Sequence, residues 1–227
     1  MKKPQYKMLL YYVVALMIMG IAAYVTPLLY GCKSAWAQLP WGTKLLLGVG
    51  LMLGALAVHL LSRKKALAYL LSYFLNAMAS GWIVGTLMYE KQMIPAPGLF
   101  AALIPAILFG ILTCMLFSMS ENKRTTVISI VVLVSGILLL LAGIAVWIWV
   151  APLIGCVFVF SALYLLPFPI GVGCAQETPD EAFRYLSLTG FGAFALILLV
   201  AIFILSEGDG LDGLDLGGGE GKKRKKK

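Results

Sequence analysis

Seven runs of roughly 20 mostly apolar residues, separated by short polar or cationic connections, fill most of the 227-residue chain. Lipid offers no partner to a free backbone N–H or C=O, so a run of this length crosses a bilayer as an α-helix that satisfies its own backbone. Composition agrees: 61% of the residues are hydrophobic and 12% are charged, whereas a soluble domain carries roughly 25% charged residues. Such a chain cannot cover a water-facing surface. The expected fold is an all-α, polytopic transmembrane helical bundle of about seven helices, a multi-pass protein whose first partner is the lipid bilayer (the cell inner membrane if the source is bacterial).

The first run covers about residues 8–30, behind Lys2, Lys3 and Lys7. It is built like a signal sequence, and Ala35-Trp36-Ala37 offers an A-x-A cleavage pattern. A signal h-region is only about 7–15 residues, however, so this run is read as a retained signal anchor. The second run (about 44–61) is stopped by Arg63-Lys64-Lys65, and the third (about 66–89) holds Asn76 and Ser80. A Pro-punctuated loop ending in Pro95-Ala96-Pro97 leads to the fourth (about 98–119). The roughly 45 apolar residues that follow Lys123-Arg124 are too many for one span. They divide near Val150-Ala151-Pro152 into a fifth run (about 127–149) and a sixth (about 153–170). Pro167 and Pro169, with Gly171 and Gly173, must break or unwind the end of the sixth helix. A polar loop (174–185) carries Thr178-Pro179-Asp180-Glu181, with proline and acids where a helix starts. The seventh run (about 186–205) completes a transmembrane domain over 1–206. Residues 207–227, glycine-rich with scattered acids and a basic end, cannot bury a core and are expected to be disordered.

The net charge of +8 sits at the flanks of these runs. With the N-terminus inside, Lys2, Lys3, Lys7, Arg63 to Lys65, Lys123, Arg124 and Arg184 fall inside and obey the positive-inside rule. The charge therefore reports topology, and no nucleic-acid partner is expected. Lys33, Lys44 and Lys91 fall outside. An odd number of spans puts the final cations outside too, against the rule: either the tail is translocated or a late segment is re-entrant. Near an anionic lipid surface that basic run would dock at about 1 kcal/mol per charge.

Groups able to do chemistry are sparse. Cys32, Cys114, Cys156 and Cys174 show no CxxC spacing, so neither a disulfide nor a metal site is expected. His59, the only histidine, has no Cys, Asp or Glu at helical spacing and reads as an interfacial side chain. The run interiors carry no clear Asp, Glu, Lys or Arg, and Glu90 sits at an edge. Phosphate loops, nucleophile elbows and metal-ligand spacings are missing, so no cofactor is expected and the chain reads as a non-enzyme. Asn76 is the most polar residue deep in a run. It reads first as an interhelical hydrogen bond worth about 1 kcal/mol, with a pore-lining role as the alternative. Pro167-Phe168-Pro169 either frees carbonyls at membrane depth, which is tolerated only inside protein or along a cavity, or marks a helix that simply ends at the interface. Asn76, Pro167 and Pro169 are thus the candidates for a cavity or helix break. Gly50-xxx-Gly54 and Gly81-xxx-Gly85 each align small residues on one helix face, where neighbouring backbones can pack closely.

The order of features resembles the Bax inhibitor family of seven-helix membrane proteins. The likeness is carried by Tyr6-Lys7-Met8-Leu9-Leu10-Tyr11-Tyr12 opening a first helix, by Arg63-Lys64-Lys65 before a third, and by residues 113–118 followed by Asn122-Lys123-Arg124-Thr125-Thr126. Thr178-Pro179-Asp180-Glu181-Ala182 leading into Leu186-Ser187-Leu188-Thr189 continues it. The resemblance implies a non-enzymatic protein acting as an ion-leak pathway or as a regulator of other membrane proteins, such as a membrane-bound protease. The family's calcium-leak members carry one acid near the end of the sixth helix and another within the seventh. Those positions fall here near Pro167 and Phe191, neither of which ionises, so a dicarboxylate gate is not carried over. The residues leave open two further classes, an accessory structural subunit of a larger membrane complex and a small-molecule transporter.

Overall fold

The computed structural model describes residues 4–31, 35–62, 65–92, 121–167 and 179–209. Among them every regular element is helical: α1 (Pro4–Gly31), a short 3-10 turn (Ala35–Gln38), α2 (Trp41–Leu61), α3 (Ala66–Glu90), α4 (Glu121–Trp149), α5 (Pro152–Leu165) and α6 (Pro179–Asp209). The all-α class follows directly from the apolar runs. Five of the helices, α1, α2, α3, α4 and α6, are long and apolar enough to cross a membrane. The expected run at 98–119 lies outside the described residues. The sixth run gives only the 14-residue α5, about 21 Å long at 1.5 Å per residue and short of a hydrocarbon core of roughly 30 Å.

Lipid as solvent explains where the side chains go. Leu60, Leu67, Leu138, Leu141, Leu199 and Phe203 face outward, whereas Lys44, Ser72, Asn76, Ser80, Thr86, Ser161 and Ser187 are buried. In hydrocarbon an apolar side chain loses nothing by exposure, whereas a polar one must turn inward.

α3 is the hub, packed extensively on α1, α2 and α6, while α5 pairs mainly with α4. Glycine sets the α1–α3 approach. A Cβ on Gly81 would fall on the Met19 carbonyl oxygen, and one on Gly85 would come within 2.6 Å of Thr26 Cβ. Successive contacts advance in the same direction along both chains, so α1 and α3 run parallel. α4 and α5 form an antiparallel hairpin that turns at Val150 and extended Ala151, with Pro152 at the start of α5. Gly155 lies on the Trp147 backbone, and Gly143 meets Phe158 and Val159.

Several boundaries move outward from their expected places. Glu121-Asn122-Lys123-Arg124, expected as a connection, is the first turn of α4. α6 starts at Pro179, with Asp180 and Glu181 in its first turn, where acids complement the helix dipole. The second half of the expected 174–185 loop is therefore helix. α6 also runs through Asp209, past the expected domain edge at 206; residues 210–227 lie outside the described residues.

Candidate functional site

α3 places a row of polar side chains along its inner side. At 100° per residue, Ser72, Asn76, Ser80, Thr86 and Glu90 all fall within an arc of about 120°. The first four are completely buried. The row spans roughly 27 Å, close to the thickness of a bilayer core. Its two ends and its middle are chemically different.

At the end near Arg63, the row meets His59 of α2 and Ser187 of α6. Ser72 Oγ donates to the Ala55 carbonyl at 2.8 Å, and Ser187 Oγ donates to Ser72 Oγ at 3.0 Å. Ser187 has then spent its proton, so the 2.9 Å contact with His59 Nδ1 is made with the imidazole as donor. The histidine gives its proton to the serine hydroxyl and does not draw one from it. Tyr69 and Phe191 flank the ring, with centroids at 5.0 and 5.7 Å. From sequence His59 reads as a lone interfacial residue; in the fold it ties α2 to α6 and, through Ser187, to α3.

At the opposite end Lys44 is 2% exposed, although it reads from sequence as an outside-facing flank. Its ammonium lies 2.5 Å from Glu90 Oε1 and 3.2 Å from the Ala37 carbonyl oxygen. It also lies 4.7 Å from the Tyr89 ring centre and 5.1 Å from that of Tyr30, distances at which a ring face attracts a cation. Trp82 Nε1 donates to the Lys44 carbonyl at 3.0 Å. α2 and α3 are antiparallel, which brings the start of one beside the end of the other. An ion pair thus occupies helices whose interiors read as free of charge.

The middle of the row is different again. Asn76 is completely buried, and among the described residues neither its Oδ1 nor its Nδ2 has a hydrogen-bond partner; Ser80 Oγ and Ser161 Oγ of α5 are likewise buried without one. The interhelical hydrogen bond expected of Asn76 is not formed. Tyr12, Tyr73 and Tyr164 converge from α1, α3 and α5, with centroids 5.9 and 6.0 Å apart around Tyr164. A Cβ on Gly190 of α6 would lie 2.9 Å from the Tyr73 ring and 3.4 Å from Asn76 Cβ, and one on Gly192 would lie 3.6 Å from Pro167.

α5 ends at this level. Its last regular residue is Leu165, with a turn through Pro167. The Leu166 amide still bonds the Ala162 carbonyl at 3.0 Å. The Leu163 carbonyl would look four residues on to Pro167, and that of Leu165 to Pro169; neither residue has an N–H. Asn76 lies about 15 Å along α3, and Gly190 and Gly192 lie about 16 to 20 Å along α6, so the helix stops near mid-membrane depth. Asn76 and Pro167 thus lie at similar depth but on different sides of α6, Asn76 beside buried Gly190 and Pro167 beside exposed Gly192, two residues and about 200° further round the helix. Pro169 itself lies outside the described residues.

Gly50 and Gly54 take no part in this. Nothing lies within 4 Å of a Cβ built on either. They line an apolar groove of about 900 Å³ on the outer side of α2, with Leu46, Leu47, Tyr30 and Trp82 among its walls. Comparison with known proteins gives no matching family model, no matching curated protein and no matching solved structure.

Proposed function

We propose that the protein is a non-enzymatic, multi-pass membrane protein that provides a leak pathway for a small ion, with its selective site among the buried polar side chains at the level of Asn76. The single observation behind this reading is the group of unpartnered buried polar atoms at mid-depth. A polar group buried without a partner costs roughly 2–7 kcal/mol depending on the reference medium. Interrupted helices at that depth are tolerated where their freed carbonyls line a cavity or lie inside protein. A Bax-inhibitor-like leak is the form of this reading that the sequence resemblance supports. Neither Pro167 nor Phe191, the positions where that family's acids would fall, carries a carboxylate, so the reading includes no dicarboxylate gate. The test is dissipation of an ion gradient across liposomes containing the purified chain. Leakage that disappears in Asn76→Leu supports the pathway, and protein that leaves the gradient as intact as empty liposomes refutes it.

An accessory-subunit reading draws on the groove at Gly50 and Gly54, whose bare backbone would admit a partner's helix. It requires a fixed partner to copurify in mild detergent, and purification as a lone monomer counts against it.

A further inference from the structure

The chemistry of the mid-depth groups says which kind of ion they suit. The side-chain groups buried there are neutral: the amide oxygen and nitrogen of Asn76 and the hydroxyls of Ser80 and Ser161. The rings of Tyr12, Tyr73 and Tyr164 add electron-rich faces. No group of three or more His, Cys, Asp or Glu able to hold a metal occurs among the described residues. The carboxylate in the row, partly exposed Glu90, is at its far end and already neutralised by Lys44.

Carbonyl and amide oxygens replace the hydration shell of an ion that gives up its water readily. Calcium binds instead through six to eight oxygens that include Asp or Glu carboxylates, and its affinity follows their charge. A divalent ion at this depth would meet no compensating negative charge. The Asn76 Nδ2 and the hydroxyls are donors an anion could use, but the three electron-rich ring faces repel it.

We infer that the site takes a monovalent alkali cation, potassium or sodium, and passes calcium poorly. This rests on the leak-pathway reading and adds the class of ion. In proteoliposomes preloaded with a potassium-, sodium- or calcium-sensitive dye, the full chain should equilibrate potassium or sodium at least about tenfold faster than calcium. Asn76→Asp, which adds one carboxylate among the neutral oxygens, should raise the calcium rate relative to the monovalent rate by about tenfold. Asn76→Leu, similar in size and apolar, should lower the monovalent rate about tenfold or more while the melting temperature in detergent holds.

Calcium flux equal to that of potassium would overturn the inference and leave the leak pathway standing. Absence of flux for all three cations would overturn both. Unchanged monovalent flux in Asn76→Leu would place the path elsewhere in the bundle and overturn the assignment of the site.

Discussion

The two most polar regions of the bundle treat burial in opposite ways. At the Lys44 end a full charge is sunk to 2% exposure, and its surroundings answer it with a carboxylate, a carbonyl and two ring faces. At the Asn76 level the groups carry no charge, and none of the described residues answers them. A satisfied buried pair is what structural polarity looks like, because its parts are matched to one another. Unanswered neutral atoms beside an interrupted helix are what a site for something else looks like.

Breaking the matched end should have the largest effect. Lys44→Met leaves Glu90 without its cation and should cost about 3 kcal/mol, the low end of the penalty for breaking a buried pair, because the carboxylate keeps 25% exposure. Thermal melting in detergent should fall accordingly, and adding Glu90→Gln should recover much of the loss. A single variant as stable as the parent would show that the pair is solvated and the contrast false. Gly81→Val should come next, because its side chain would press on the Met19 backbone; overpacking of this kind costs about 1–3 kcal/mol. Gly50→Val, over open space, should shift the melting point far less.

Smaller effects sharpen the other end. Ser72→Ala removes the link between Ser187 and the Ala55 carbonyl and should cost about 1 kcal/mol. Asn76→Leu should cost less than that or stabilise, since it removes unpartnered polar atoms. A loss of several kcal/mol at Asn76 would mean that the amide is structurally matched after all.

The sequence made the all-α class and five of the long apolar helices legible, because runs of apolar residues act locally. It also singled out Asn76, Pro167 and the glycine pairs. What it did not make legible was partnership. Gly50-xxx-Gly54 and Gly81-xxx-Gly85 are the same pattern, yet Gly81 and Gly85 bring α3 onto α1 while Gly50 and Gly54 face an open groove. Lys44 and Glu90 each read as an edge residue, although the start of one helix and the end of its antiparallel successor must lie side by side. His59 lacked a partner only because Ser187 is 128 positions away. One signal was present and passed over: the polar residues of the third run, taken together, fall on one side of an ideal helix. That arc marks the inner face of α3 before any neighbour is known.

The central claim is that monovalent cations reach the level at which α5 stops, and silver ion tests it most directly. Silver is a monovalent cation that binds thiolate. In a background with the four native cysteines replaced by alanine, Ser161→Cys and the outward-facing Leu133→Cys would be reconstituted in liposomes and exposed to micromolar silver. Rapid loss of the Ser161→Cys thiol, with Leu133→Cys protected by lipid, is the result expected. A Ser161→Cys thiol as inert as the lipid-facing one would mean that no cation enters, and that the polar row is only packing.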